Sequence, residues 1–191
     1  MKSKKPTKIE CDEMRLFIAV CFSEDVNQHL LKSINQLKSK TTGNFTKPNN
    51  LHMTLVFIGE TDRVEDIKSA MDEVCKDQSP YDLTLNHIGR FERGRTSLVW
   101  AGGHSKKLPM IYENLVKILT IKGFEIEKRK FLPHITLGRQ IIFQKSKNKE
   151  ETDSFLKTLE FEAADEIDSI ILMSSERTDS GLVYRKIYAV S

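Results

Sequence analysis

Two of the five histidines open the same four-residue word. His52-Met53-Thr54-Leu55 lies in "NLHMTLVFIG" (50–59), and His134-Ile135-Thr136-Leu137 lies in "FLPHITLGR" (131–139). Two buried strands of similar composition are a poor explanation, because His is a costly choice for a strand interior unless something bonds it. Strand side chains alternate between faces. His52 and Thr54 therefore point one way, Met53 and Leu55 the other, and the second tetrad repeats the division. The apolar pair anchors each strand in a core, and the polar pair turns toward water, a groove or a buried partner. His and Thr two apart stand roughly 7 Å from each other. That spacing suits two groups gripping different atoms of one small anion.

If both strands line one groove, the site holds two imidazoles and two hydroxyls. Imidazole titrates near neutral pH, so one ring can be neutral while the other is protonated. The neutral ring takes a proton from water or a hydroxyl, the protonated ring gives one to a departing oxygen, and Thr hydroxyls donate to non-bridging phosphate oxygens. Such a set opens a reactive phosphodiester without metal or covalent nucleophile. Other chemistries fit less well. Two His leave a zinc site short of a third protein ligand. No Gly-x-Ser-x-Gly elbow and no Gly-rich loop ending in Gly-Lys-Ser/Thr is present. "GRFERGR" (89–95) reads as a hairpin turn. Cys11, Cys21 and Cys75 are too few and too scattered for a disulfide framework.

The elements that must position the tetrads follow from periodicity. "MRLFIAVCF" (14–22) reads as a buried strand. Ser23-Glu24-Asp25 starts a helix whose Val26, Leu30, Ile34 and Leu37 fall on one face. "TKPNN" (46–50) is a loop before the first tetrad strand, which Gly59 closes. Residues 62–77 read as a helix, and 81–91 and 96–103 as strands. Residues 107–123 form a helix stopped by Gly123. Residues 131–143 form the second tetrad strand, 145–159 include a helix, and 168–177 with 181–190 form a terminal hairpin. Strands and helices mix through both halves, which suggests two related lobes with one tetrad each. Outside the tetrads no self-similarity is visible.

A chain of 191 residues is one domain, or one domain of two lobes, with residues 1–13 as a tail. Its 30 Lys and Arg against 27 Asp and Glu leave a net charge of +3, compatible with an anionic ligand but far from a protein that coats nucleic acid. The runs "KSKKPTK" (2–8) and "KSKNK" (145–149) read as solvated segments. "IEKRK" (126–130), just before the second tetrad, is either a guide for an RNA backbone or a solvated loop. No apolar run approaches a membrane span and no signal-type segment precedes Met14, so a reducing cytoplasm is the expected compartment.

These residues resemble the 2H phosphoesterase superfamily, and within it the RNA 2′,3′-cyclic phosphodiesterases, or 2′-5′ RNA ligase-like proteins. "MRLFIAV", "NLHMTLVFIGE", "SLVWAGG" and "FLPHITLGR" carry the likeness, over roughly residues 14–190. The resemblance implies an α+β fold in residues 14–191. Two lobes related by a pseudo-two-fold would carry antiparallel sheets facing a central cleft, with helices outside. It implies metal-independent hydrolysis of RNA 2′,3′-cyclic phosphate ends to 2′-phosphate, without cofactor, by a monomer. His134 would be the base and His52 the acid, an order the near-symmetric tetrads themselves leave open. Thr54, Thr136 and Arg139 would bind the phosphate. Arg139 raises a difficulty: five residues from His134, a regular strand would turn it to the opposite face. Gly138 permits a bulge that re-aims it, and an Arg on the outer surface is the alternative. Phe17 reads as a core residue, with base stacking as the other option. His29, His87 and His104 read as surface or structural. Rival functions are 2′-5′ RNA joining or small cyclic nucleotide opening at the same site, and a non-catalytic nucleotide- or RNA-binding module.

Overall fold

A computed structural model describes residues 13–76, 78–127, 130–143, 148–179 and 181–191. In chain order the elements are β1 (Met14–Val20), α1 (Glu24–Lys38), β2 (Thr41–Phe45), a 3-10 turn (Pro48–Asn50), β3 (Met53–Thr61) and α2 (Val64–Cys75). Next come β4 (Tyr81–Arg93), β5 (Thr96–His104), α3 (Leu108–Ile121) and β6 (His134–Phe143). The last are α4 (Lys149–Lys157), β7 (Ala163–Ile167), β8 (Ile170–Thr178) and β9 (Gly181–Val190). The expected tail lies outside the described residues except for Glu13, as do Cys11 and parts of the basic runs at 126–130 and 145–149.

All strand pairings are antiparallel, and the sheet runs β7-β4-β5-β6-β3-β1-β8-β9, with β2 paired to β6 off this path. Divided between β6 and β3, the path falls into two four-stranded halves, each with a tetrad strand innermost. This is the expected two-lobed α+β architecture, with one detail the sequence did not show: the halves join in a continuous sheet through the pairing of Met53 with Ile135. Beyond that pairing β3 leaves, and β2 takes its place beside β6, from Phe45 opposite Gly138 to Thr41 opposite Phe143.

The helices form where caps and periodicity require. Ser23 caps α1, its Oγ accepting from the Val26 amide, and Glu24 and Asp25 complement the helix dipole. The buried stripe of α1 includes Val26, Leu30, Ile34 and Leu37. Past α3, Gly123 takes φ +85°, and the Phe124 amide closes back on the Leu119 carbonyl, satisfying an orphan acceptor. Asn148 caps α4 through a 2.9 Å bond from the Glu151 amide. In the main core, Leu16, Ile18, Met53, Ile135 and Leu137 of the strands are fully buried together with Leu30, Ile67 and Leu115 of the helices. Each such aliphatic side chain stabilises by about 1.5–3 kcal/mol relative to exposure.

Two strands escaped the periodicity reading. In β2, "TTGNF", only Thr41 is buried, and in β7, "AADEI", the buried residues are Ala163 and Ile167. The segment read as a loop at 46–50 contains the 3-10 turn, with Pro48 in its first position, where a missing N–H does no harm.

Candidate active site

The pairing of Met53 with Ile135 sets the geometry of the site. Continued by one residue in each direction, this antiparallel register puts His52 opposite Thr136 and Thr54 opposite His134. The two imidazoles then stand on the diagonal of one small patch, with backbones about 7–8 Å apart. Met53, Leu55, Ile135 and Leu137 are buried in the main core, and both His and both Thr are half-buried on the other face. The alternation read from the tetrads is what the structure contains.

Each imidazole is held in the same way. Nδ1 of His52 lies 2.8 Å from the Asn50 carbonyl, and Nδ1 of His134 lies 2.8 Å from the Leu132 carbonyl. A carbonyl only accepts, so each Nδ1 carries the hydrogen, and the neutral ring has its lone pair on Nε2. Asn50 is itself tied down: its side-chain amide donates to the Leu182 carbonyl of β9 at 3.0 Å. Aromatic rings fix the imidazole planes. His52 meets Phe17 at 5.0 Å and Tyr184 edge-on at 4.9 Å. His134 meets Phe91 edge-on at 5.6 Å and Trp100 at 6.3 Å. The Trp100 indole lies flat because Gly89 and Gly102 leave room, a Cβ at either being within 2.5 Å of the ring. Phe17 is buried in a small cluster with Ala19, Ile171 and Met173 on the cleft side of the sheet, apart from the main core. Sequence reasoning missed Tyr184, Phe91 and Trp100, whose partners come from strands distant in the chain.

Arg139 reaches the groove through a bulge. On β5, Val99 pairs with Gly138 and Ser97 with Ile141, so Arg139 and Gln140 together stand opposite Leu98. One step earlier Trp100 pairs with Thr136, so Leu137 and Gly138 together stand opposite Val99. That extra residue reverses the alternation and returns Arg139 to the face of Thr136, and Gln140 takes φ +53° in the second irregularity. The Gln140 side chain is held by a 2.8 Å bond from Asn44. β2 passes this irregularity at Gly43, φ +150°, where a Cβ would stand 2.8 Å from the Gln140 carbonyl oxygen and 3.0 Å from that of Arg139. Arg139 therefore lines the same groove as His52 and Thr136. The odd offset is resolved in favour of the bend.

The groove has a volume of about 1000 Å³. One wall comes from the β4–β5 hairpin, with Thr96 and Leu98, and the other from the β8–β9 hairpin, with Leu182 and Tyr184. An adjoining recess shares His52, Arg139 and Tyr184 and adds Thr54 and Phe17. Strand register sets His134 beside these residues. Burial pushes the His52 pKa below the ordinary imidazole value, the Asn50 carbonyl opposes this, and the positive charges of Arg139 and His134 add to the depression. His52 therefore feels both groups, as members of one site would. His29 stacks on Phe161, and His87 pairs with Glu160 at 2.9 Å. Two imidazoles in one tautomer, two hydroxyls and a guanidinium can bind a phosphate and move protons on and off its oxygens.

A two-lobed antiparallel sheet with a His-x-Thr strand innermost in each half is the arrangement of a 2H phosphoesterase. The model of the 2'-5' RNA ligase superfamily matches residues 26–179, and the chain belongs to that family. An RNA 2',3'-cyclic phosphodiesterase of Methanocaldococcus jannaschii is 31% identical over 176 residues, covering 91% of this chain and 98% of its own. One of Thermotoga maritima is 28% identical, covering 92% and 94%. TT0787 of Thermus thermophilus superposes with a TM-score of 0.75 at 21% identity, over 92% of this chain and 96% of that one. E. coli LigT complexed with 3'-AMP gives 0.72 at 22%, over 94% and 98%. These structural likenesses concern the fold.

Proposed function

We propose that this 2H phosphoesterase hydrolyses 2′,3′-cyclic phosphate ends of RNA to 2′-phosphates. The observation that carries the reading is the diagonal of His52 and His134 across the Met53–Ile135 pairing, with both rings anchored through Nδ1. One neutral Nε2 takes a proton from water as the water oxygen bonds to phosphorus. The bond from phosphorus to the 3′-oxygen breaks, and the other imidazolium gives that oxygen its proton. Water is consumed and the products are a 2′-phosphomonoester and a 3′-hydroxyl. Thr54, Thr136 and Arg139 hold the non-bridging oxygens while charge grows on them. Following the family resemblance, His134 is the base and His52 the acid. The depressed His52 pKa fits the acid role once a phosphate anion is bound, because its negative charge restores the proton.

The names of the relatives from M. jannaschii and T. maritima support the substrate class. Joining of RNA ends in a 2′-5′ bond would be the reverse passage through the same groups. The test is incubation with a 2′,3′-cyclic mononucleotide and with an oligoribonucleotide ending in a 2′,3′-cyclic phosphate, the products being separated by chromatography and assigned by phosphorus NMR. A 2′-phosphate product is expected. A 3′-phosphate product or no hydrolysis of either substrate refutes the reading.

A further inference from the structure

The charge lining the groove is unlike that of the chain. Lys38, Lys47, Arg93, Arg139 and Arg177 face it against one carboxylate, Asp179. The whole chain carries 30 cations against 27 acids. The adjoining recess is nearly balanced, with Glu13 and Glu60 beside Arg15, Arg139 and Arg177. Positive charge is thus gathered on one arm of the cleft, where Lys38, Lys47 and Arg93 line the groove and not the recess.

The cations come from separate elements. Lys38 ends α1, Lys47 precedes the 3-10 turn, Arg93 ends β4 at the hairpin turn, and Arg177 is near the end of β8. All four are exposed. Arg139 reaches the reacting phosphate from the bulge, so the outer cations are surplus to one phosphate. The groove volume of about 1000 Å³ stands at the upper limit for a single small ligand. Narrow clefts of one sign focus their field on a chain of the opposite sign.

We infer that this arm is a track for the phosphates upstream of the cyclic end, so that the protein acts on oligonucleotides in preference to nucleotides. A 2′,3′-cyclic phosphate closes the 3′ end, and the chain can continue only from the 5′ oxygen. Lys38, Lys47 and Arg93 receive the next phosphates as point charges, without reading bases. The inference rests on the proposed reaction.

The test compares a 2′,3′-cyclic mononucleotide with oligoribonucleotides of two to six residues ending in the same cyclic phosphate, at several salt concentrations. kcat/KM rises with length over the first few residues and falls with salt for the longer substrates. Lys38→Ala and Arg93→Ala each lower kcat/KM for the hexamer roughly two- to fivefold. Each also flattens the log–log salt slope by about 0.7. Hydrolysis of the mononucleotide stays within about twofold, since neither side chain touches the reacting phosphate. Equal kcat/KM for mononucleotide and hexamer overturns the inference, as does an equal effect of the variants on both. Should no cyclic phosphate be opened, binding of a hexamer ending in a 3′-phosphate, read by fluorescence anisotropy, separates the two claims. Salt-sensitive binding weakened by Arg93→Ala upholds the track while the reaction falls. Binding no tighter than that of a nucleoside 3′-phosphate removes the track as well.

Discussion

Met53 lies directly opposite Ile135 across the antiparallel seam between β3 and β6. Both side chains are fully buried, so the pairing is locked from the core side. On the other face it leaves two imidazoles and two hydroxyls as neighbours, each His across from the Thr of the other tetrad. A shift of either strand by one residue would turn that strand's own His and Thr into the core and break up the group of four.

The two imidazoles should be separately indispensable. His52→Ala and His134→Ala each lower kcat by roughly 10²–10⁴-fold, the range for a lost general acid or base. Thr54→Ala and Thr136→Ala cost less, each removing one neutral donor. The double His variant falls far short of the product of the single effects, because the rings act as a unit. Single-turnover kinetics on a cyclic mononucleotide measure all five, and near-normal turnover by His134→Ala would sink the mechanism.

His52 should titrate below the ordinary imidazole value of ~6.5 in the free protein and move upward when phosphate binds. The sign carries into stability. Between its lowered pKa and ~6.5 the folded state binds fewer protons than the unfolded state, so this contribution is full above ~6.5 and lost as pH falls through the folded value. Ring-proton NMR with and without inorganic phosphate gives the two midpoints. A free-state midpoint above that of a model peptide contradicts the desolvated site.

Arg139→Gln should act on both ligand and imidazole. Loss of a charge-assisted clamp raises KM for the cyclic substrate. It also removes one of the charges that depress His52, so the His52 midpoint rises. Arg139→Lys keeps the charge and recovers part of the binding, but not the forked geometry. An unchanged His52 titration in Arg139→Gln would mean that the bulge does not bring the guanidinium to the groove in solution.

Gly43→Ala probes that bulge from the neighbouring strand. The new Cβ would meet the Ile141 side chain at 2.7 Å and the Gln140 and Arg139 carbonyl oxygens at 2.8 and 3.0 Å, at a φ of +150°. A destabilisation of about 1–3 kcal/mol is expected in denaturant unfolding. KM should rise in the still-folded enzyme as Arg139 is displaced. Wild-type stability and KM together would show that β2 yields without moving β6.

Hydrolysis should be insensitive to chelator. The tetrads hold no carboxylate, and among the described residues no three His, Cys, Asp or Glu side chains cluster as a metal would need. Assays in EDTA, with and without added zinc or magnesium, decide the point. Loss of activity restored by metal would replace the paired-imidazole route.

The parts legible in the sequence were those governed by period and by repeated words. The faces of His52, Thr54, His134 and Thr136 follow from alternation alone, and α1 follows from Ser23 and its apolar stripe. Arg139 was legible only as a conflict between a strict period and a groove position. The conflict named a bulge at Gly138, and the structure contains it: Leu137 and Gly138 stand together opposite Val99, and a second irregularity follows at Arg139 and Gln140. β2 and β7 were not legible because they bury too few apolar residues to show a period. The rings around His52 and His134 were hidden for another reason. Tyr184 and Trp100 reach their imidazoles through pairings of strands far apart in sequence, which no local pattern encodes.

The seam at Met53 and Ile135 also has a mechanical consequence. Strands stand about 4.8 Å apart, so β7, the outermost strand of its half, is roughly 17 Å from the seam, while each tetrad strand is within about 2.4 Å of it. If one half swings about this line by about 10°, β7 travels roughly 3 Å and the tetrad strands about 0.4 Å. The imidazoles sit at the pivot, while the wall on β9 stands at the end of its lever and the wall on β5 about 7 Å from the seam. The cleft can therefore widen to admit a polymer while the distance between proton donor and acceptor stays almost unchanged.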